Sequence, residues 1–233
     1  MNLVIFLHLE RTGGSTINGW FSSVQNIFTR NVNYFEFPAG IPNTWTIDFE
    51  NLDSDICFIS GHFTLHSVRE VIDLEMFNKV LIFTVLRDPI ERIFSGYRLW
   101  LRSPDWFPDL LDTSKNFPNY YEKIRDLYSK NLACRRISGT QSSIEAIEEI
   151  ESSEIIFGVT DDLNKFASKL NEQIQKMNPN VFLKTSLSKS NEGLSLSGES
   201  YASHGIDQNA IDMVRDDNKE DLILYKIEST SII

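Results

Sequence analysis

The sequence is poor in cysteine, in cations and in long apolar runs, and each shortage removes a class of protein. Cys57 and Cys134 are the only cysteines in 233 residues. Two thiols in a chain of this length do not make a disulfide framework, so reduced thiols are expected. Lys and Arg total 22 against 33 Asp and Glu, a formal charge of −11. Such a chain repels polyanions at long range, which argues against nucleic acid as a partner. The apolar run Leu3 to Leu7 is short, lacks a basic leader and meets His8, Glu10 and Arg11. It therefore reads as a buried strand and not as a signal peptide or transmembrane segment. No Asn begins an N-x-[ST] acceptor, and a cytoplasmic location is expected. The four His and two Cys show no metal-ligand spacing, so no metal is expected. The G-x-x-x-x-G-K-[ST] signature is missing too, which disfavours a nucleotide kinase of the P-loop type.

What remains is 41% hydrophobic, enough to bury one sizeable core, and a single domain over residues 1–233 is expected. The charge is uneven. Lys79 to Arg102 holds five basic and two acidic residues, whereas Ile137 to Asn164 holds seven acidic residues and no Lys or Arg. An anionic ligand can thus still meet a locally positive site. Leu3 to Leu9, Ile56 to Ser60, Val80 to Leu86 and Ile155 to Val159 are short, apolar and rich in β-branched or aromatic residues, as strands buried on both faces are. Helical spacing puts Ile17, Trp20, Phe21, Val24 and Phe28 on one face of Thr16 to Phe28. It does the same for Leu163, Phe166, Leu170, Ile174 and Met177, and predicts a last helix over Gln208 to Tyr225. Strands alternating with helices imply an α/β fold, a central parallel sheet with helices on both faces, and ligands gather at the carboxyl ends of such strands. The Ser-rich segment Thr185 to Ser203 is either disordered or a lid over a site.

Two stretches carry chemistry. Ile5-Phe-Leu-His-Leu-Glu-Arg-Thr-Gly-Gly-Ser-Thr-Ile17 sets a Gly-Gly turn between a buried strand and an amphipathic helix, a P-loop-like strand-loop-helix. Glycines allow close backbone approach, Ser15 and Thr16 offer hydroxyls, and the helix start favours negative charge. Arg11 adds a charged donor fork suited to phosphate or sulfate. The plainer reading is a Gly-containing connection that merely turns the chain. In Thr84-Val-Leu-Arg-Asp-Pro-Ile-Glu-Arg-Ile-Phe-Ser-Gly-Tyr97, Arg87 ends a strand, Asp88 is a good N-cap, Pro89 suits the first helical position, and Ser95 follows two turns later. Arg87 and Ser95 can meet on a second phosphate. A capped surface helix explains the Asp-Pro pair but not a charged Arg ending a buried strand.

These two stretches resemble the 5′-phosphosulfate loop and the 3′-phosphate element of carbohydrate sulfotransferases, the family that includes the heparan sulfate O-sulfotransferases. Ser60-Gly-His-Phe63 resembles that family's Gly-His segment. Asn131-Leu-Ala-Cys-Arg-Arg-Ile-Ser-Gly139, Phe157-Gly-Val-Thr160 and Asn218-Lys-Glu-Asp-Leu-Ile-Leu-Tyr225 resemble its later segments in the same order. The resemblance implies transfer of a sulfuryl group from 3′-phosphoadenosine 5′-phosphosulfate (PAPS), a co-substrate, to a hydroxyl group, that of a glycan or other small carbohydrate. It further implies that Thr12, Gly13, Gly14, Ser15 and Thr16 wrap the phosphosulfate, that Arg87 and Ser95 hold the 3′-phosphate, and that the loop from Lys184 to Asn191 closes over the nucleotide. Arg11 and His62 fall at opposite ends of the transferred group: Arg11 facing the leaving phosphate, His62 as general base, since a neutral imidazole suits that role near pH 7. The chain departs from the family in reading Glu10-Arg11 where relatives have Pro-Lys. That departure motivates a second reading, a non-catalytic member that binds adenosine 3′,5′-bisphosphate or a partner. His8 is expected to be structural, Arg135 and Arg136 divide between ligand contact and a solvated face, and Tyr97, Trp100, Trp106 and Phe107 are expected to be ordinary packing.

Overall fold

The computed structural model describes residues 1–25, 27–32, 49, 52–111, 113–184 and 206–230. Five parallel strands form one sheet in the order β2-β3-β1-β4-β5. They are β1 (Asn2–Leu7), β2 (Ile27–Val32), β3 (Ile56–Gly61), β4 (Val80–Leu86) and β5 (Ile156–Val159). The apolar runs read as strands because both faces of the sheet are covered. Leu3, Ile5 and Leu7 of β1 pack into one apolar layer, while Val4 and Phe6 pack into the other. The period-2 alternation of a strand therefore buries every residue of the run. The first layer is closed by α2 (Leu65–Val71), α5 (Leu132–Ser138), α6 (Ser143–Ser152) and α9 (Lys219–Thr230). The second is closed by α1 (Gly14–Ser22) and α7 (Leu163–Met177).

A third apolar cluster lies apart from the sheet. It joins α3 (Pro89–Arg102), α4 (Phe117–Ile124) and α8 (Gln208–Asp217). Tyr97 and Trp100 are buried in it, and Trp100 stacks on Tyr120 with ring centroids 5.3 Å apart. Phe107 packs at its margin. Trp106 does not join this packing: it is 67% exposed.

Two expected helices are drawn differently. The helix expected over Thr16 to Phe28 ends at Ser22, and Phe28 lies in β2, a strand that the periodicity concealed. Val24 and Phe28 fit a helical stripe, but Ser22 and Ser23 are weak helix formers and Ser23 Oγ donates to the Trp20 carbonyl (2.7 Å), closing the last turn. Ile27 then pairs with Ile56 of β3, where a β-branched residue packs better. The helix expected over Gln208 to Tyr225 is two, α8 and α9, broken at Asn218. The first strand also stops at Leu7, leaving His8 and Leu9 beyond it.

The break at Asn218 is explained by a buried polar clamp. Asn131 lies in the left-handed region (φ 43°) ahead of α5, and its Oδ1 accepts from the Glu220 and Asp221 amides at the start of α9 (3.2 and 3.4 Å). Asp221 returns the favour to α5, accepting from the Ala133 and Cys134 amides (2.9 and 3.0 Å). Asn218 Oδ1 accepts from the Asn131 amide (3.2 Å). Two helix starts thus cap each other, each supplying the acceptors that the other's first turn needs. Asn131→Ala removes the acceptor from two amides and places alanine at positive φ, so it should cost about 2–4 kcal/mol in urea unfolding. Asn131→Gly, which keeps the backbone geometry, should cost less; equal losses would assign the whole effect to the missing side chain.

Candidate active site

The carboxyl ends of β3, β1 and β4 lie side by side, with Leu7 paired to both Gly61 and Thr84. Whatever follows these strands is gathered at one edge, which puts the loop after β1 between His62 and Arg87. The His8 amide donates to the Gly61 carbonyl (3.0 Å), and Thr84 Oγ1 donates to the Leu7 carbonyl (2.7 Å), so the edge is tied before the loop begins.

The loop is built on two left-handed residues, Arg11 (φ 67°) and Gly13 (φ 87°). Glycine takes that conformation without strain, whereas for Arg11 it costs on the order of 1 kcal/mol. Arg87 Nη1 donates to the Arg11 carbonyl (3.4 Å) and Thr12 Oγ1 to the Leu9 carbonyl (2.8 Å), which hold the turn. Thr12 is fully buried, and its hydroxyl is taken up by that bond. Gly13 caps α1 with no side chain, and the first amides of a helix have no intrahelical acceptor. Gly14 answers a different need. A Cβ there would lie 1.9 Å from His8 Nε2, so the imidazole occupies the space a side chain would take. Ser15 is exposed and Thr16 half-buried at the same helix start.

On the β4 side, Arg11 Nε donates to Ser95 Oγ (3.0 Å). Arg11, Arg87 and Ser95 are therefore brought together, with Ser95 on the first turns of α3. Asp88 starts that helix by accepting from the Ile90 and Glu91 amides (2.9 and 3.1 Å). Burial, then the guanidiniums of Arg87, Arg102 and Arg98, press against the charge on Arg11. Burial does the same to Arg87, offset by Glu91, 3.7 Å away. Since a guanidinium stays protonated, a bound anion is what relieves this stress. The side chains and helix start present fit phosphate or sulfate groups.

On the β3 side stands His62. Its Nδ1 is 2.8 Å from the His8 carbonyl, which can only accept, so Nδ1 carries the proton and Nε2 the lone pair. Its ring stacks on His8 with centroids 4.4 Å apart. Burial, then His62, lower the pKa of His8 to about 3, so His8 remains neutral packing, as expected of a structural residue. The spacing of motifs does not reveal the partner of His62. Glu10 Oε1 is 3.8 Å from His62 Nδ1 and accepts from Arg136 Nη2 at 3.1 Å. Burial would raise the Glu10 carboxyl, but Arg136 and then His62 outweigh it and hold it below the ordinary range. Arg136 thus serves Glu10, and Arg135 Nη1 donates to the Asp126 carbonyl (3.0 Å). Glu10 and Arg136 are 126 positions apart, and no local pattern connects them.

Segment 185–203 and His204 lie outside the described residues, as does all but Lys184 of the loop expected to close over the site. Among the described residues, no three His, Cys, Asp or Glu side chains gather as a metal set, and no helix is long and apolar enough to cross a membrane.

No protein-family model matches the chain, and no curated protein does. A solved structure, the sulfotransferase from Alicyclobacillus acidocaldarius, is similar with a TM-score of 0.54 and 12% identity, over 94% of this chain and 91% of that one. At this identity the likeness concerns the fold, an α/β fold of the sulfotransferase type.

His8 supplies a pH test of the packing. Its folded pKa of about 3 lies below the ordinary 6.5, so the unfolded chain binds the extra proton and stability falls as the pH drops below 6.5. Between about pH 6.5 and 4.5 this slope should reach ~1.4 kcal/mol per pH unit in denaturant unfolding, and His8→Gln should abolish it. An unchanged slope in the variant would mean that His8 titrates freely in the folded protein.

Proposed function

We propose that the chain transfers a sulfuryl group from PAPS to a hydroxyl of a neutral or lightly charged carbohydrate. The observation that carries this reading is the left-handed Arg11–Gly13 cradle at the start of α1, joined through Ser95 to Arg87, on a fold of the sulfotransferase type. Bound there, the donor supplies an activated sulfuryl group whose departing phosphate gains negative charge. The amides at the start of α1 and the glycine turn hold that end. Arg11, turned toward Ser95, stands with Arg87 at the 3′-phosphate element as well as beside the loop. His62, with Nδ1 protonated by its bond to the His8 carbonyl, offers Nε2 to the acceptor hydroxyl. Catalysis of this kind rests on positioning and charge stabilisation.

A second reading, nucleotide binding without transfer, is supported by the same Arg11–Ser95 bond, which draws the only charged donor of the loop away from the leaving phosphate. The two readings separate by experiment. In calorimetry, Arg87→Ala and Arg11→Ala should each weaken adenosine 3′,5′-bisphosphate by about 1.5–3 kcal/mol and leave 5′-AMP nearly unchanged. Equal losses for both nucleotides would remove these residues from the 3′-phosphate.

Transfer itself is read with radiolabelled PAPS and a panel of glycans. His62→Ala should lower turnover by about 10²–10⁴-fold with unaltered nucleotide affinity. Tight bisphosphate binding with no transfer to any acceptor would favour the non-catalytic reading.

A further inference from the structure

The pair Glu10–Arg136 has no part in the contacts of Arg11 with Ser95 and Arg87: its hydrogen bond ties the loop to α5. Arg136 comes from α5, whose start is fixed by Asp221, and it holds the Glu10 carboxylate at 3.1 Å. The same carboxylate oxygen lies 3.8 Å from His62 Nδ1. That is too long for a hydrogen bond and close enough for a charge interaction once the imidazole gains a second proton. All three side chains are largely enclosed: Arg136 is 12% exposed, Glu10 24% and His62 20%. The carboxylate that accepts from Arg136 is also placed where its charge faces the imidazole.

We propose that Glu10 is a positioning residue acting through His62: held by Arg136, its carboxylate stabilises the imidazolium formed during sulfuryl transfer, while the His8 carbonyl orients the ring. This rests on the sulfotransferase reading. In the step, the acceptor hydroxyl proton passes to His62 Nε2 as the acceptor oxygen bonds to sulfur. The bond from sulfur to the 5′-phosphate oxygen breaks, and its electron pair leaves with adenosine 3′,5′-bisphosphate. The positive charge gained by the imidazole then lies beside the Glu10 anion, while the His8 carbonyl keeps the Nδ1 proton in place. In serine hydrolases a carboxylate behind a histidine base likewise stabilises the imidazolium without itself taking the proton, though there it accepts the Nδ1 hydrogen bond that the His8 carbonyl accepts here. Arg136 holds the carboxylate in that place.

The test uses Glu10→Gln and Glu10→Asp, each alone and with His62→Ala. Glu10→Gln should lower kcat by about 10- to 100-fold with KM for donor and acceptor unchanged, and should cost nothing further in the His62→Ala background. Glu10→Asp keeps the charge and the Arg136 partner and should retain more activity. In the nucleotide-free protein, the ¹⁵N resonances of the His62 ring should move in Glu10→Gln, a readout independent of any reaction. Additive losses with His62→Ala, a rise in KM alone, or unmoved His62 resonances would each overturn the proposal. A wild-type chain that transfers nothing while the His62 resonances do respond would overturn the catalytic part through the failure of the sulfotransferase reading itself.

Discussion

At Arg11 the chain turns through the left-handed region, and the site is arranged on either side of that turn. Because the backbone reverses there, the consecutive residues Glu10 and Arg11 send their charges apart. The carboxylate goes toward α5 and His62, and the guanidinium goes toward α3, where it meets Ser95. An extended backbone would also alternate the two side chains, but it would carry the chain away from the sheet edge before α1 could begin. The strain is held by bonds the loop makes with its surroundings, chiefly Arg87 to the Arg11 carbonyl. One residue of β4's end therefore supports both the shape of the loop and its charge.

The support extends outward through the polar clamp between α5 and α9. Asn131, Asn218 and Asp221 are buried, and each satisfies amides on the opposite helix. A buried network of this kind is favourable only when its members are paired, so it fixes one relative placement of the two helices. Arg136 lies one turn along α5 from that fixed start, and it reaches Glu10 from there. The helix cap and the candidate base are thus linked through Arg136 and Glu10.

Much of this was legible in the sequence, for physical reasons that differ by element. The strands β1, β3 and β4 announce themselves because burial on both faces demands unbroken apolar runs. β2 does not, since its Phe28 continues the stripe of α1 and no Gly or Pro intervenes. The join of α8 to α9 was hidden likewise, because the apolar period runs on through Asn218. At the site, the Gly-Gly turn, Arg87, Ser95 and His62 were visible as local patterns at strand ends. The orientation of Arg11 and the pairing of Glu10 with Arg136 were not, because both depend on contacts between residues 84 and 126 positions apart. The segments Asn131 to Gly139 and Asn218 to Tyr225, which stood out as family resemblances, turn out to hold each other.

The balance of charge bears on which partners the site can accept. The chain is at −11 overall, yet four guanidiniums, Arg11, Arg87, Arg98 and Arg102, act on one another beside the loop. At physiological ionic strength the Debye length is about 8 Å, so a small anion that has reached the loop responds to those guanidiniums and hardly to the acidic surface beyond. An extended polyanion has no such shelter. It spans many Debye lengths and meets the acidic residues of α6, Glu145, Glu148, Glu149 and Glu151, as well as the basic edge. A nucleotide donor and a densely charged polymer acceptor are therefore not equivalent for this surface: local charge favours the first, and total charge opposes the second. In the proposed reaction this leaves the acceptor to be recognised mainly through hydroxyls and shape, and a base held by neighbouring charge, not by the acceptor's own, is what such a substrate requires.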